Sequence, residues 1–112
     1  MAEDRTGADV LERLYEVVAG RRGADPESSY TARLFAEGRG KIAQKAGEEA
    51  IETIVAALGD DRTAVSKESA DLLYHLLVLW AETGVEPADV WAELARREGT
   101  SGLAEKAART KT

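Results

Sequence analysis

Valine and isoleucine are too rare in this sequence to build a β-sheet. Of the 112 residues, 49 are apolar, but 20 of these are alanine and only 11 are valine or isoleucine. Strands are normally rich in β-branched and aromatic side chains, whereas alanine and leucine favour helices. Larger apolar residues recur at spacings of three and four, as one face of a helix requires. The chain is therefore predicted to be all-α, with a single domain over residues 1–112.

Glycine, proline and capping residues divide the apolar pattern into five predicted amphipathic helices. A tight polar connection is predicted at residues 37–40, and flexible segments are predicted at residues 1–8 and 99–112, where little apolar surface is available for burial. The predicted helices span approximately residues 10–20, 29–38, 41–58, 61–84 and 88–97.

The fourth predicted helix is the most hydrophobic segment of the chain. Its large apolar residues surround much of the helix, and short alanine-rich neighbours are too thin to cover all of them. We therefore expect the protein to form a homodimer that buries the remainder. These residues are Leu72, Leu73, Leu76, Leu77, Leu79 and Trp80.

The charge balance excludes several classes of function. The chain has 21 acidic and 15 basic residues, a formal net charge of −6, and no cysteine. An acidic protein repels nucleic acid and anionic membranes, and a chain without cysteine forms neither thiolate zinc sites nor disulfides. The opening segment MAEDRTGADV lacks a basic stretch followed by an apolar run, and no apolar run approaches 18 residues. We expect a cytoplasmic protein that binds neither nucleic acid nor membranes.

Two pairs of acidic residues stand out on the third and fourth predicted helices. Glu49 and Glu52 form one pair, and Glu68 and Asp71 form the other. Residues three apart lie about 60° apart around a helix axis, so each pair occupies one face. Because only a short turn joins the two helices, they should pack antiparallel and can bring all four carboxylates together.

Four converging carboxylates need a cation between them, since two such charges at 4 Å repel by about 4 kcal/mol at an effective dielectric constant of 20. An all-oxygen cluster suits Mg²⁺, with Mn²⁺ as the other candidate, and these ions commonly bind substrate phosphates. The simpler interpretation is that each pair is solvated helix surface, which is common in a chain with 21 acidic residues.

Basic residues precede the acidic pairs, and the single histidine follows Asp71 by one turn. The basic residues can bind phosphate groups, although ordinary salt bridges such as Lys45 to Glu49 are about equally expected. A lone histidine beside an apolar face is more often a hydrogen-bonded core residue than a catalyst. The residues concerned are Arg33, Arg39, Lys41, Lys45 and His75.

The order of acidic residues, Glu-Glu-x-x-Glu, a helical spacer and then Glu-x-x-Asp, resembles the all-α, MazG-like nucleoside triphosphate pyrophosphohydrolases. Within that superfamily, four segments are similar to the phosphoribosyl-ATP pyrophosphatase family, and the resemblance spans about residues 10–109. The segments are SYTARLF at 29–35, KAGEE at 45–49, ADLLYHL at 70–76 and SGLAEKA at 101–107.

The resemblance implies a reaction and a set of residues for it. The reaction is Mg²⁺-dependent hydrolysis of phosphoribosyl-ATP to phosphoribosyl-AMP and pyrophosphate, the second step of histidine biosynthesis. It also implies an antiparallel bundle with a four-helix core completed by homodimerisation. The implied metal ligands are Glu49, Glu52, Glu68 and Asp71, and the implied catalytic residues are Glu48 and Glu49, with Glu48 a ligand or a base for the attacking water.

Candidate substrate-binding residues extend into the C-terminal tail. Lys106 and Arg109 can form charge-assisted hydrogen bonds with a substrate that carries several phosphates. They join Arg33, Lys41, Lys45 and His75 as the predicted contacts to this small-molecule nucleotide. Two other functions remain open at this point: a housekeeping pyrophosphatase for non-standard nucleoside triphosphates, and a non-catalytic helical dimerisation module.

Overall fold

The protein is an assembly of helices, as the sequence predicts. The computed structural model describes residues 5–110, which form six helices and no strand. Within these residues, none of the helices has both the length and the apolar character that a membrane span needs. The helices are α1 (Val10–Gly20), α2 (Tyr30–Glu37), α3 (Arg39–Ala57), α4 (Arg62–Thr83), α5 (Pro87–Arg97) and α6 (Gly102–Thr110).

Helix ends occur where capping residues were expected. The Ser29 hydroxyl accepts a hydrogen bond from the backbone N–H of Ala32, 3.1 Å away, at the start of α2. The Asp61 carboxylate accepts bonds from the first turn of α4, and Gly84, with φ of 81°, ends that helix. These side-chain acceptors satisfy backbone N–H groups that have no partner within the helix. The predicted starts of α2 and α4 are confirmed.

The predicted polar connection at residues 37–40 is wrong, because Gly38 alone separates α2 from α3. Its backbone has φ of 97° and ψ of 171°, a conformation open essentially only to glycine. Its N–H donates to the carbonyls of Leu34 and Phe35, and its own carbonyl accepts from Ile42. One residue therefore ends one helix and begins the next, and Arg39 and Gly40 belong to α3.

Helices α3 and α4 form an antiparallel pair and make the most extensive helix contact in the described structure. Arg39 at the start of α3 pairs with Glu82 at the end of α4, with 3.6 Å between Nε and Oε2. Helices α1 and α2 pack across this end of the pair. The buried core there consists of Val18, Leu34, Ile42, Val78 and Ala81.

A sixth helix, α6, occupies the tail for which no helix was predicted. Its buried acid, Glu105, is only 8% exposed and accepts a 2.7 Å bond from Arg96 of α5, with Arg97 at 3.9 Å. No helix was predicted here because the tail has little apolar surface to bury, whereas an ion pair docks α6. The flexibility predicted for residues 1–8 and 99–112 remains a prediction, and residues 1–4, 111 and 112 lie outside the described residues.

The second half of α3 leaves a row of large apolar side chains uncovered. We call these four residues the α3 stripe, and their exposed fractions range from 61% to 84%. The uncovered apolar surface was expected on α4 instead, where Leu77 is fully buried and Leu73 is 41% exposed. The α3 stripe consists of Ile51, Ile54, Val55 and Leu58.

Candidate metal centre

Three of the four predicted metal ligands converge between α3 and α4. Glu49 comes from α3, and Glu68 and Asp71 come from α4. One carboxylate oxygen of each residue lies within 4.8 Å of those of the other two, close enough for a single ion to contact all three. The antiparallel packing of the two helices produces this meeting, as the sequence analysis anticipated for these three residues.

Glu52 lies beside this group without being part of it. Its carboxyl group is near both Glu49 and Glu68, and it raises the pKa of each. Because it is one turn beyond Glu49 on α3, the same face of the helix presents both side chains. Glu49, Glu52, Glu68 and Asp71 therefore form one acidic cluster, of which three members provide the tight triad.

Two oxygens of the acidic cluster are buried without a hydrogen-bond partner, Oε2 of Glu49 and Oε2 of Glu68. Burial raises the pKa of both carboxyl groups above the ordinary value, and the neighbouring Glu52 and Asp71 raise it further. Buried polar atoms are nearly always paired in folded proteins, so these two oxygens need a partner. A donor set made only of carboxylate oxygens fits a hard divalent cation such as Mg²⁺ or Mn²⁺.

Glu48 lies away from the triad although it is adjacent to Glu49 in sequence. Its Oε2 accepts a 2.8 Å hydrogen bond from Gln44, and its Oε1 is 3.5 Å from Lys45 Nζ. The bond from Gln44, followed by the charges of Lys45 and Lys41, lowers the pKa of Glu48. Consecutive helical residues point about 100° apart, which explains why one of the two glutamates enters the cluster and its neighbour does not.

The basic residues predicted to bind phosphate divide into two groups. Lys41 and Lys45 lie beside Glu48 on α3, and Lys45 is also close to Glu49. Arg33 donates to the carbonyl of Pro26, and Arg39 pairs with Glu82 at the far end of α4. Of these four residues, Lys45 is therefore the one that lies close to a member of the acidic cluster, and Lys41 lies beside Glu48 outside it. The salt bridge anticipated between Lys45 and Glu49 forms with Glu48 instead.

Lys106 and Arg109 lie on the exposed surface of α6. The structure docks this helix through Glu105 onto Arg96 of α5. These two basic residues are therefore carried by a helix separate from the pair that carries the acidic cluster, and a role in binding substrate requires the substrate to extend that far.

His75 is buried, with 6% of its surface exposed. Its Nδ1 lies 2.8 Å from the carbonyl oxygen of Asp71, and its Nε2 lies 3.4 Å from the hydroxyl of Tyr30. The ring also makes edge contacts with Tyr30 and Tyr74. Neither tyrosine was predicted as a site residue, and the only signal in the sequence was their presence in the segments that contain Arg33 and His75.

The raised pKa of Glu68 predicts how stability depends on pH when no metal is bound. A folded-state pKa above the unfolded value means that the folded protein favours the protonated carboxyl, so stability falls as pH rises through the interval above 4.5. In EDTA, Glu68→Gln should therefore have a higher Tm than the wild type at neutral pH, and this advantage should shrink as pH is lowered towards 4.5.

Thermal unfolding at several pH values measures this difference. Glu16→Gln, which changes an exposed carboxylate of α1, is the matched control and should show no comparable advantage. Saturating Mg²⁺ should remove the advantage of Glu68→Gln at neutral pH. A difference in Tm that is the same at every pH would contradict the electrostatic crowding inferred for the acidic cluster.

The sequence of this chain is similar to proteins of one known family. The family model for phosphoribosyl-ATP pyrophosphohydrolase matches residues 11–98. A phosphoribosyl-ATP pyrophosphatase of Azospirillum brasilense is 64% identical over 109 residues, which cover 97% of this chain and 98% of the relative. Proteins of the same name from Paramagnetospirillum magneticum and Rhodospirillum rubrum are 65% and 62% identical; these matches cover 99% and 94% of this chain, and 99% and 90% of the respective relatives.

Proposed function

This chain belongs to the phosphoribosyl-ATP pyrophosphohydrolase family, and we propose that its acidic cluster performs that hydrolysis with a bound Mg²⁺ ion. The reaction converts phosphoribosyl-ATP and water into phosphoribosyl-AMP and pyrophosphate, and it belongs to histidine biosynthesis. The observation that supports the metal most directly is the pair of buried, unpartnered oxygens on Glu49 and Glu68.

The reaction breaks the anhydride bond between the α and β phosphates. The oxygen of a water molecule bonds to one of the two phosphorus atoms, and the bridging oxygen leaves with the other. One proton is released. A bound Mg²⁺ ion neutralises phosphate oxygens and lowers the pKa of a coordinated water. In this proposal the carboxylates of Glu49, Glu52, Glu68 and Asp71 hold the ion, and none of them attacks the substrate.

Glu49 is a better candidate than Glu48 for the group that orients and deprotonates the attacking water. Glu49 lies in the triad, whereas Glu48 lies outside it and its oxygens are engaged by Gln44 and Lys45. A general base must lie within hydrogen-bond reach of the water that it deprotonates. We therefore propose that Glu49 orients and deprotonates the attacking water. Glu48 supports Lys45 through their contact.

Phosphate binding in this proposal begins with Lys45, which is close to Glu49 of the acidic cluster, and with Lys41, which lies beside Glu48. Ammonium groups at that position can neutralise phosphate oxygens that the metal does not contact. Arg33, His75, Lys106 and Arg109 remain proposed contacts to other parts of the substrate. A cytoplasmic location is also part of the proposal, since the substrate is a derivative of ATP.

Removing the tail should impair the use of phosphoribosyl-ATP without affecting the metal. A chain that ends after Gly99 lacks α6 together with Lys106 and Arg109. We expect a higher KM or a lower kcat for phosphoribosyl-ATP, with the affinity for Mg²⁺ unchanged. Steady-state kinetics and metal titration measure the two quantities.

A matched control separates the basic residues from the helix that carries them. The Lys106→Gln/Arg109→Gln variant keeps α6 and its Glu105 anchor, and it should reproduce the kinetic effect of the truncation. Wild-type kinetics in the truncated chain would contradict a role for the tail in binding substrate.

We also propose that the protein is a homodimer, and that the α3 stripe lies in the interface. Four adjacent aliphatic side chains that are each more than 60% exposed form a patch of the kind that marks an association surface. A second copy would place its own α3 and α4 against this pair and give a four-helix core. Burial of the α3 stripe in this way also covers one face of the helix that carries Glu49 and Glu52.

Calorimetric titration with Mg²⁺ and a non-hydrolysable triphosphate tests whether the cluster functions as a metal-dependent active site. The proposal predicts that the triphosphate binds with Mg²⁺ and that EDTA abolishes both binding and pyrophosphate release. Mg²⁺ or Mn²⁺ should restore them. A chain that binds neither metal nor triphosphate would instead be a helical dimerisation module.

A further inference from the structure

The ring of His75 is hydrogen-bonded to the main chain of a proposed metal ligand. Its Nδ1 lies 2.8 Å from the carbonyl oxygen of Asp71, four residues earlier in α4. In an α-helix this carbonyl is also the normal acceptor for the backbone N–H of residue 75. The carbonyl of Asp71 therefore has two donors, and both belong to His75.

The directions of the hydrogen bonds follow from their chemistry. A backbone carbonyl only accepts, so Nδ1 of His75 must carry the proton that it donates to Asp71. In the neutral ring Nε2 is then an acceptor, and the hydroxyl of Tyr30, 3.4 Å away, donates to it. Both ring nitrogens are thus engaged within the protein, and only 6% of the surface of His75 is exposed.

The orientation of the His75 ring is set by contacts outside the acidic cluster. Tyr30 is the first residue of α2, and its hydroxyl bonds to the ring from that helix. The rings of Tyr30 and Tyr74 also meet the imidazole edge-on, with 6.2 and 4.9 Å between centroids. Edge-to-face contacts of this kind are favourable, and they limit the orientations that a buried ring can take. The donor that reaches Asp71 is therefore held in a fixed place.

Asp71 is the member of the triad whose carboxylate position depends most on the main chain. Its side chain has two torsions, whereas those of Glu49 and Glu68 have a third with which to adjust. One oxygen from each of the three lies within 4.8 Å of the others, and like charges this close repel. Neighbouring groups must hold such ligands in place if a cation is to find them correctly arranged.

We infer that His75 is a positioning residue that, oriented by Tyr30 of α2, fixes the main chain of Asp71 and thereby the carboxylate that Asp71 contributes to the triad. This inference rests on the proposed function. For His75 it takes the place of the substrate contact proposed above, because a buried ring with both nitrogens engaged has no polar atom left for a substrate.

Two substitutions of His75 separate its two hydrogen bonds. His75→Asn places an amide nitrogen near the position of Nδ1, so it can keep the bond to the carbonyl of Asp71 while losing the one to Tyr30. His75→Gln places its amide group near the position of Nε2, so it can keep the bond from Tyr30 while losing the one to Asp71. The inference predicts that only the glutamine variant loses the restraint on Asp71.

The affinity of the metal-free protein for Mn²⁺, followed by the electron paramagnetic resonance of the free ion, measures this difference. We expect His75→Gln to bind Mn²⁺ roughly tenfold more weakly than the wild type, and His75→Asn to bind it within about twofold. A merely structural role for His75 would weaken both variants in proportion to their loss of Tm. Equal affinities in the two variants would overturn the inference.

Thr83→Val is the matched control. The hydroxyl of Thr83 donates to the carbonyl of Leu79, 2.8 Å away, which is the same kind of contact four residues back in the same helix, but at the far end of α4. Removing it should leave the Mn²⁺ affinity unchanged. Tyr30→Phe removes only the hydroxyl that orients the ring, and we expect a smaller loss than in His75→Gln, roughly threefold. Wild-type affinity in Tyr30→Phe would overturn the part assigned to Tyr30.

The ring itself can be observed without metal or substrate. His75 is the only histidine in the chain, so its ring nitrogens give unambiguous NMR signals. In the metal-free wild type we expect a proton on Nδ1, and we expect the Nε2 signal to change in Tyr30→Phe. A proton on Nε2 alone would overturn the inference.

Kinetics with phosphoribosyl-ATP distinguish a positioning role from direct contact with the substrate. If His75 acts through Asp71, His75→Gln needs more Mg²⁺ for half-maximal activity, and saturating Mg²⁺ restores most of its activity. If His75 instead touches the substrate, both variants have a raised KM that Mg²⁺ does not correct, while their Mn²⁺ affinity equals that of the wild type. The second result would overturn the inference.

The same measurements separate this inference from the proposed function. If the predicted order of Mn²⁺ affinities holds while the wild type fails to cleave phosphoribosyl-ATP, the proposed function is wrong and the positioning role stands. If the wild type cleaves phosphoribosyl-ATP and His75→Gln binds Mn²⁺ as tightly as the wild type, the positioning role is wrong and the proposed function stands.

Discussion

Replacing Asp71 with asparagine should reduce pyrophosphate release from phosphoribosyl-ATP by roughly a hundredfold or more, because metal ions contribute several kcal/mol to such reactions. Asparagine keeps the size of the side chain but removes a negative charge from the triad with Glu49 and Glu68. The helical fold should remain intact, since the substitution relieves repulsion among carboxylates. Activity assays at several Mg²⁺ concentrations, with circular dichroism to monitor folding, measure both effects.

Glu52→Gln should likewise abolish activity if Glu52 completes the ligand set from its place beside the triad. Asp60→Asn is the matched control, because Asp60 is an exposed aspartate in the turn before α4. It should retain wild-type activity. An Asp71→Asn enzyme that is active at ordinary Mg²⁺ concentrations would refute the assignment of the acidic cluster as the metal site.

Ile54→Glu should dissociate the proposed dimer into monomers of 12.0 kDa. Ile54 is 61% exposed in the single chain and lies in the α3 stripe. Burying an unpaired carboxylate in an apolar interface is costly enough to weaken association by roughly a hundredfold or more. Sedimentation equilibrium across the micromolar range distinguishes a dimeric wild type from a monomeric variant.

Ala92→Glu adds the same charge to an exposed position of α5 and should leave the dimer intact. A wild-type protein that sediments as a monomer throughout the micromolar range would contradict the homodimer. A dimeric Ile54→Glu variant would instead place the interface elsewhere than on the α3 stripe.

Local signals in the sequence predicted the helices well. Asp61 caps α4 and Gly84 ends it, as their residue types indicate. The spacing of the acidic pairs also predicted that Glu49, Glu68 and Asp71 would meet, because an antiparallel helix pair leaves little freedom in the placement of i, i+3 residues.

Features that depend on partners distant in sequence could not be predicted in the same way. The docking of α6 depends on Glu105 finding Arg96, and a carboxylate in a polar tail normally indicates solvated surface. An apolar stripe indicates that a helix face is covered, but it does not indicate which element covers it. For this reason the exposed apolar residues were expected on α4, whereas they occur on α3.

The contact between Tyr30 and His75 joins helices 45 residues apart in sequence, and no local pattern marks it. The connection between α2 and α3 was missed for a different reason. A polar stretch with two glycines normally indicates a loop, whereas here a single Gly38 with positive φ allows the helices to follow one another directly.

The most direct test of the account is to measure pyrophosphate release by the purified protein across a panel of substrates. The panel should contain phosphoribosyl-ATP, ATP and several non-standard nucleoside triphosphates, each with Mg²⁺ and with EDTA. We predict that phosphoribosyl-ATP is cleaved to phosphoribosyl-AMP and pyrophosphate with by far the highest kcat/KM, and only in the presence of the metal. Preferential cleavage of non-standard nucleoside triphosphates, or cleavage that persists in EDTA, would contradict it.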